Sequence, residues 1–465
     1  MGNKLKQGSL VLIGVIAGVM LSLNFSAVAQ REGARSPLPM DELRAFADVF
    51  GAIKSGYVEP VEDKKLITGA INGMLSDLDP HSAYLDADAF RDLQVGTQGE
   101  FGGLGIEVGM EDGFVKVVSP IEDTPAFRAG LKSGDLVIKI DDTPVKGMTL
   151  NDAVKRMRGK PKTSIRLTIV RKGEPKPFDV TLVREIIHVR SVKSKLIEPG
   201  YAWVRVAQFQ EHTGENLVKH LQGLYKQGPL KGLVLDLRND PGGLLHGAVG
   251  IASAFLQPKA LVVSTDGRTE DAKRKFVASP EDYLRGRKSD YLKDLPQGVK
   301  TVPMVVLVNA GSASASEIVA GALQDHKRAT VMGVQTFGKG SVQTILPLGN
   351  HTAIKLTTAR YYTPSGRSIQ AKGIMPDIVV EDPGAQPRVR EADLVKHLIN
   401  EQESAETKAA SKPASAATAT PRSSPLEPAS NSDFQFVQAM NHLKGLPVQT
   451  AQAAVQPQTP EPKKN

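Results

Sequence analysis

The segment from Asn309 to Glu317 reads N-A-G-S-A-S-A-S-E and holds three serines among residues with small side chains. It follows an apolar run, Met304 to Val308, typical of a buried strand, and precedes a helical stretch, Glu317 to Leu323. A nucleophilic serine needs this setting, because its hydroxyl must be exposed on a tight turn beside the free N–H groups of a helix N terminus. A serine here could equally do no more than cap the helix, so this segment alone leaves both interpretations open.

A serine hydroxyl is a weak nucleophile until a base removes its proton. No histidine lies in a recognisable motif, so a buried lysine is the natural candidate, because desolvation disfavours the ammonium form. Lys339 lies in T-F-G-K-G, between Phe337 and two glycines, with no acidic residue within several positions. The alternative is an ordinary solvated loop lysine.

A third segment, Asp236 to Gly243, reads D-L-R-N-D-P-G-G and closes an apolar strand, Gly232 to Leu237. Paired glycines let the backbone approach a substrate carbonyl closely. The N–H of Gly242 or Gly243, together with that of Ala315, could therefore form an oxyanion hole with two donors. The alternative is an ordinary Pro-Gly turn.

Several other chemistries are excluded by their missing motifs. The sequence contains no H-E-x-x-H, G-x-S-x-G or S-x-x-K. Gly333 to Lys339 has the glycine and lysine spacing of a phosphate-binding loop, but Gly340 stands where that loop needs Ser or Thr, and Ser341 comes one place late. The nine histidines show no metal-ligand spacing, and His212 and His220 are interpreted as helix-surface residues. We expect no metal and no cofactor.

Composition and the N terminus indicate an exported protein. The 465 residues include no cysteine, which excludes disulfides and thiolate chemistry and suits an oxidising compartment. Lys4 and Lys6 precede an apolar run, Leu10 to Leu23, and Ala27-Val28-Ala29 offers a cleavage site, so residues 1–29 are predicted to be a secretory signal. An uncleaved membrane anchor is the alternative, and either places the rest in the periplasm or cell envelope. The net charge of +8 is not clustered, so nucleic acid is not an expected partner.

The chain divides into four further regions. Residues 37–97 carry apolar residues at helical spacing until Asp79-Pro80-His81-Ser82 breaks the pattern, and such helices could pack on the core or on a second subunit. Residues 98–187 are glycine-rich and alternating, which predicts a β-rich module. Residues 188–384 are α/β, and residues 385–465 are a low-complexity tail predicted to be mostly disordered.

Apolar and alternating runs along the chain predict individual strands and helices. The glycine-rich module is predicted to hold strands at Phe114 to Val118, Leu136 to Ile140, Ile165 to Val170 and Phe178 to Leu182, and a helix from Leu150 to Arg158 capped by Asn151. Further strands are predicted at Ala329 to Met332 and Thr352 to Thr358, a loop or hairpin over residues 265–300, and a short helix from Phe434 to Leu443 within the tail.

Taken together, these motifs resemble the C-terminal processing peptidases, or tail-specific proteases, over about residues 37–380. The resemblance rests on G-S-A-S-A-S-E, T-F-G-K-G-S-V-Q and D-L-R-N-D-P-G-G. It implies that Ser314 is the nucleophile, that Lys339, 25 residues later, is the general base, and that Gln343 orients the lysine. Asp325 matches an acidic residue with a supporting role in some members. The implied fold is an α/β peptidase core, a mixed sheet with helices, carrying an inserted β-rich PDZ domain, an N-terminal helical region and a disordered C-terminal tail.

The glycine-rich module resembles the PDZ domain of that family. Its G-L-G-I loop, from Gly103 and Leu104 to Gly105 and Ile106, matches the loop whose N–H groups receive a peptide's C-terminal carboxylate. Arg171 matches a basic residue that links the PDZ domain to the core in relatives.

The resemblance implies an exported serine endopeptidase that grips unstructured protein C termini and cleaves near them through an acyl-enzyme. The expected partners are proteins or peptides with such termini and an adaptor protein, and the N-terminal helices are expected to form a homo-oligomer. Two alternatives remain open: a non-catalytic PDZ adaptor that presents peptides to another protease, and an amidase acting on peptidoglycan stem peptides.

Overall fold

The computed structural model describes residues 38–121, 123–286, 289–382, 389–402 and 427–450. The predicted secretory signal, residues 1–29, lies outside these residues. Among the described residues, 38–71 belong to one compact unit, and the chain from Asn72 onward forms another. None of the helices within the described ranges is both long and apolar enough to cross a membrane.

Helices occur throughout the chain. They are α1 (Met40–Gly56), α2 (Asp63–Ser76), α3 (Ala87–Gln98), α4 (Pro125–Arg128), α5 (Leu150–Met157), α6 (Thr213–Tyr225), α7 (Leu245–Phe255), α8 (Pro280–Tyr283), α9 (Ala315–Asp325) and α10 (Phe434–Leu443). Short 3₁₀ turns occupy Glu270–Ala272, Gln297–Lys300 and Glu391–Asp393.

Within the residues that the structure describes, the strands build four sheets. They are β1 (Ala83–Leu85), β2 (Glu100–Gly103), β3 (Ile106–Glu111), β4 (Phe114–Pro120), β5 (Leu136–Ile140), β6 (Thr143–Pro144), β7 (Ser164–Val170), β8 (Phe178–Val183), β9 (Glu185–His188), β10 (Val192–Glu198), β11 (Tyr201–Val206), β12 (Gly232–Asp236), β13 (Leu261–Gly267), β14 (Arg274–Val277), β15 (Met304–Val308), β16 (Thr330–Gly333), β17 (Ser341–Pro347), β18 (Ala353–Tyr362) and β19 (Ile378–Val379).

The N-terminal helix α1 is amphipathic and has no buried side chain. Leu43, Phe46, Val49 and Ile53 recur at spacings of three and four, which places them on one face of the helix, and all four are exposed. The region predicted to be helical is confirmed as α1, α2 and α3, with the three-residue strand β1 between α2 and α3.

The glycine-rich module is a small β-domain. Its sheet has the order β3-β4-β5-β7-β8, with β6 paired to β5, and it encloses its own core around Val115, Val137, Leu167 and Ile169. The four predicted strands are confirmed to within two residues at each end. The predicted cap of α5 was wrong: Thr149, not Asn151, is the N-cap, and its hydroxyl accepts the N–H of Asp152.

The α/β core is built on a central sheet with the order β10-β11-β12-β15-β16-β19, parallel from β11 to β19. Strands β12 and β15 are wholly buried because helices cover both faces. Helices α6, α7 and α9 pack on one face, while α10 packs on the other against Trp203, Val234 and Val305. The loops that leave the carboxyl ends of these parallel strands therefore meet at one edge of the sheet.

A second sheet completes this part of the molecule. Strand β18 lies between β17 on one side and β1 and β13 on the other, and β13 also pairs with β14. The hairpin of β13 and β14 lies at the start of the region, residues 265–300, where a loop or hairpin was predicted, and α8 and the 3₁₀ turn Gln297–Lys300 follow within it.

Two segments of the predicted tail are folded. The helix predicted from Phe434 to Leu443 is confirmed as α10. Residues 389–402, which sequence analysis assigned to the disordered tail, instead pack on the core, where Glu391 and Asn400 are buried. The prediction failed here because the segment is polar and its burial depends on hydrogen bonds to distant residues rather than on apolar spacing. The rest of the predicted tail that the structure does not describe comprises residues 385–388, 403–426 and 451–465.

Candidate active site

Ser314 lies on the turn between β15 and α9, immediately before the first residue of the helix. Its backbone has φ 56° and ψ −112°, a combination that residues with a side chain seldom adopt and that costs about 1–3 kcal/mol. The turn is held by its neighbours, because Ser312 donates its hydroxyl to the carbonyl of Leu237 and Ala313 donates its N–H to the carbonyl of Asp240. A strained strand-to-helix turn of this kind is the setting of a nucleophilic serine in other hydrolase folds.

The side chain of Ser314 lies close enough to the buried phenol of Tyr361 to affect its pKa. Burial raises the pKa of Tyr361 to about 12, and its hydrogen bond with the Ser314 side chain opposes part of that rise. Ser314 is 6% exposed, so the hydroxyl sits in a recess at the end of the central sheet.

Lys339 lies on the loop between β16 and β17, a loop that packs tightly against residues 369–373. A Cβ on Gly340 would come within 2.3 Å of the Gln370 nitrogen, and Gly338 has φ 97°, so both positions need glycine. Burial lowers the pKa of Lys339, and the positive charge of Lys355 lowers it further, against the opposite influence of Glu391, Glu317 and Asp79. A lysine with a lowered pKa can exist as the neutral amine that a general base requires.

Glu317 joins the serine turn to the lysine loop. Its fully buried carboxylate accepts the backbone N–H of Ser314 at 2.8 Å, that of Lys339 at 2.9 Å and that of Gly338 at 2.7 Å, and the hydroxyl of Thr336 at 2.5 Å. Burial raises the pKa of Glu317 to about 7, although these donors favour its ionised form. Because all four contacts are donors, protonating Glu317 would break at least one of them.

The glycine turn approaches the serine from the neighbouring strand, β12. A Cβ on Gly242 would lie 2.7 Å from the Ala313 carbonyl oxygen and 2.9 Å from both the Ala315 nitrogen and the Ser314 Cβ. Only glycine therefore fits there. The N–H of Gly242 donates to the Asp240 carboxyl at 2.8 Å. Of the two glycines predicted to supply an oxyanion-hole donor, Gly243 is therefore the better candidate to act together with the N–H of Ala315.

Asp240 is a second buried acid beside the turn. Burial raises its pKa to about 8, with opposite contributions from the Gly242 N–H and the Ser316 hydroxyl. Its Oδ2 has no hydrogen-bond partner among the residues that the structure describes. At neutral pH the side chain is therefore a neutral acid that fixes the glycine turn through Oδ1.

Gln343 lies on β17, four residues after Lys339. Its amide nitrogen donates to the hydroxyl of Thr357 at 2.9 Å and to that of Ser341 at 3.3 Å. The Gln343 carbonyl oxygen lies 3.3 Å from the Thr357 hydroxyl, which can donate to it, and it has a second lone pair for another donor.

Two predicted residues are not brought to this site. Asp325 ends α9, about 15 Å along the helix from Ser314, where it accepts the N–H of Ser365 and pairs with Arg367. The described contacts of Arg171 lie inside the glycine-rich module, where it binds Asp135 and the carbonyl of Gly130.

The G-L-G-I loop connects β2 to β3 and is held by hydrogen bonds from Ile121, Thr124 and Ala126. The Gly105 carbonyl accepts the N–H of Ile121 and the Thr124 hydroxyl, and the Leu104 carbonyl accepts the N–H of Ala126. Beyond it, β3 pairs within the described residues only with β4, so its other edge is open to an added strand.

Neither Glu317 nor Glu391, which contact the loop that carries Lys339, was predicted from the sequence. One signal was present for Glu317, since an acidic residue stood in an otherwise small and apolar helix start. Glu391 gave no local signal. Within the described ranges, no cluster of His, Asp or Glu side chains could hold a metal ion.

Comparisons with known proteins agree with this architecture. Residues 200–380 match the model of peptidase family S41, residues 102–182 match a PDZ domain, and residues 19–89 match the N-terminal domain of the activating protease CtpB. The carboxy-terminal-processing protease of Bartonella bacilliformis is 47% identical, over 84% of this chain and 89% of that protein. The carboxy-terminal processing protease CtpB of Bacillus subtilis is 35% identical, over 80% of this chain and 75% of that protein.

Among solved structures, the photosystem II D1 C-terminal processing protease is 30% identical, with a TM-score of 0.41, over 73% of this chain and 93% of that one. The level of identity to the Bartonella protein, sustained over most of both chains, decides the family. The chain belongs to the carboxy-terminal processing proteases of peptidase family S41.

Proposed function

We propose that this serine-type peptidase is an endopeptidase in which Lys339 activates Ser314, and that it recognises unstructured protein C termini through its PDZ domain. The observation that carries the proposal is the shared carboxylate of Glu317, which binds the backbone of both residues and so keeps the two loops in register. The lowered pKa of Lys339 gives the base its neutral form, and the backbone of Ser314 presents the hydroxyl on a strained turn.

The reaction follows from these positions. Neutral Lys339 takes the proton of the Ser314 hydroxyl, and the oxygen attacks the scissile carbonyl carbon. The N–H groups of Gly243 and Ala315 stabilise the oxyanion, at about 3 kcal/mol for each donor. The lysine then gives its proton to the leaving amine, an acyl-enzyme forms on Ser314, and water releases it with the lysine again as base.

The catalytic test compares each site variant with a matched control elsewhere in the core. Ser314→Ala and Lys339→Met should lose at least about 1,000-fold in kcat/KM on a disordered polypeptide. Ser253→Ala removes another buried serine hydroxyl, and Lys300→Met removes another half-buried lysine whose pKa burial lowers, so both should retain activity. Wild-type rates in either site variant would rule out the dyad.

The recognition step is supported by the open edge of β3 beside the G-L-G-I loop. Gly105 and Gly113 both have left-handed backbones, with φ 76° and 79°, but only a Cβ on Gly105 meets a neighbour, Thr124, at 2.2 Å. Gly105→Ala should therefore weaken cleavage of substrates with a free C terminus, while Gly113→Ala should not. Equal cleavage of free and amidated C termini by the wild-type protein would contradict carboxylate recognition.

The same assay separates the alternatives. Product masses that show internal cleavage of a polypeptide support the proposal. A PDZ adaptor would bind the polypeptide without cutting it, and an amidase would act on peptidoglycan stem peptides instead.

We further propose that the protein is exported, on the strength of the N-terminal signal pattern, and that it forms a homo-oligomer through α1. The support for the oligomer is the exposed apolar face of Leu43, Phe46, Val49 and Ile53. Phe46→Glu should reduce the mass measured by sedimentation, whereas a wild-type protein that sediments as a monomer would contradict the proposal.

A further inference from the structure

The turn Asp79-Pro80-His81-Ser82 begins two branches of hydrogen bonds, one that ends at Gln343 on β17 and one that ends at the loop that carries Lys339. The buried Asp79 carboxylate shapes the turn, since it accepts the N–H of His81 at 2.8 Å, the N–H of Ser82 at 2.9 Å and the Ser82 hydroxyl at 2.7 Å. Burial alone would raise the pKa of Asp79, but these hydrogen bonds and one from Thr357 bring it below its usual value. The carboxylate is therefore a fixed acceptor at neutral pH.

The first branch runs through β18 to Gln343. Strand β1 covers β18 only at residues 353–355 and β13 only at residues 359–362, which leaves Thr357 between them without a strand partner on that side. Ser82 fills this gap, because its hydroxyl oxygen accepts the Thr357 N–H at 3.2 Å. On the other side of the strand pair, the Thr357 hydroxyl accepts from the Gln343 amide at 2.9 Å.

The second branch runs through the C-terminal segment to the residue after Lys339. His81 Nε2 lies 2.8 Å from the buried carboxylate of Glu391. Glu391 accepts the Gln370 amide at 3.0 Å, and Gln370 in turn accepts the Gly340 N–H at 3.1 Å. Glu391 also donates its own N–H to the Phe337 carbonyl, two residues before Lys339.

We propose that the turn of residues 79–82 is a positioning element for Lys339. Through Ser82 and Thr357 it fixes the Gln343 amide, whose carbonyl oxygen keeps an acceptor position that the lysine can use. Through His81, Glu391 and Gln370 it fixes the backbone on both sides of the lysine. A neutral lysine that donates one N–H to Gln343 has its lone pair directed away from that bond, toward the proton it must remove.

The inference rests on the proposed Ser314–Lys339 chemistry, so its test measures kcat and KM separately. Thr357→Val removes the relay hydroxyl with little change of shape and should lower kcat about tenfold while KM stays within about twofold. Thr358→Val is the matched control, because Thr358 is the next residue on β18 and its hydroxyl bonds to Thr344 on the same hairpin. The control should keep the wild-type kcat.

Ser82 variants add a rescue and a coupling test. Ser82→Ala should lower kcat as Thr357→Val does, and Ser82→Thr, which keeps a hydroxyl, should recover most of the loss. In a Gln343→Ala background, Ser82→Ala should lower kcat little further, since both substitutions act through the amide of Gln343. Melting temperatures identify any variant that fails to fold. If the Ser82 variants fail, the kcat of Thr357→Val decides whether the positioning role holds.

The outcomes distinguish the two proposals. A wild-type protein without peptidase activity would contradict the proposed function itself. An active wild-type protein with unchanged kcat in Thr357→Val, a loss carried by KM alone, or additive effects of Ser82→Ala and Gln343→Ala would each overturn the positioning role.

Discussion

Arg238 binds Asp433 through two hydrogen bonds, of 2.7 and 2.6 Å, although the two residues are 195 positions apart. Arg238 follows β12 and also binds Asp236, while Asp433 caps α10 by accepting the Phe436 N–H. Desolvation opposes the charge of Arg238, but the two aspartates raise its pKa above the usual value, so it stays charged. The pair fastens the C-terminal helix beside the strand that leads to the glycine turn.

Asp433→Ala should destabilise the protein by about 3 kcal/mol, because it leaves a buried guanidinium with one carboxylate fewer and removes a helix cap. Lys444→Ala is the control at the C-cap of the same helix. It removes a partly exposed ion pair with Glu198 and should cost about 0.5 kcal/mol. Chemical denaturation measures the free energy of unfolding of both variants. Equal losses would show that the buried pair of Arg238 and Asp433 stabilises the protein no more than the exposed pair does.

Glu317→Gln should reduce kcat about 100-fold. The amide nitrogen of glutamine cannot accept the hydrogen bonds that one carboxylate oxygen of Glu317 accepts, so the serine and lysine loops lose part of their connection and separate. Glu215→Gln changes a first-turn glutamate of α6 and should leave kcat unchanged. Steady-state kinetics on a peptide substrate provide the measurement. Wild-type kcat in Glu317→Gln would show that the shared carboxylate does not hold the site.

Activity should rise with pH, because only the neutral amine of Lys339 can act as the base. Burial and the positive charge of Lys355 lower the pKa of Lys339, so the rise should be complete at a lower pH than for a free lysine. Lys355→Ala removes the like charge and should shift the rising limb of kcat/KM to higher pH. Lys193→Ala, an exposed lysine on β10, should leave the limb in place, and a shift to lower pH in Lys355→Ala would contradict the assignment.

Asp240→Asn should stabilise the protein more at pH 8 than at pH 4. The pKa of Asp240 rises from 3.8 to about 8 on folding, so between these values the unfolded chain releases a proton that the folded protein keeps. Stability therefore falls as pH rises through this window, by at most about 1.4 kcal/mol per pH unit. Asparagine keeps the acceptor for Gly242 without a titrating proton, and thermal melts at the two pH values give the difference. An equal change in stability at both would place the ionisation of Asp240 outside this range.

How much the sequence reveals depends on whether the signal is local. Apolar runs such as Met304 to Val308 predicted the buried strands, because burial on both faces leaves a continuous pattern. The serine and lysine were also visible, since each lies in a turn rich in small residues. The cap of α5 was misplaced from Thr149 to Asn151 because both residue types are good caps, and periodicity does not fix a helix end to within two positions.

What the sequence could not provide are the groups that arrive from far along the chain. Nothing near Glu391 indicates that its carboxylate meets His81, and the polar composition around it predicted disorder. Nothing near Asp325 indicates that it lies at the far end of the helix that begins beside Ser314. Such placements depend on topology, which periodicity does not encode.

The bond between His81 and Glu391 spans 310 positions. Closing so long a loop is entropically costly and contributes to slow, late steps of folding. Because synthesis runs from the N terminus to the C terminus, a growing chain contains Ser314 and Lys339 before it contains residues 389–402, the segment that completes their surroundings. The order of synthesis therefore delays the complete surroundings of the lysine until residues 389–402 have been made.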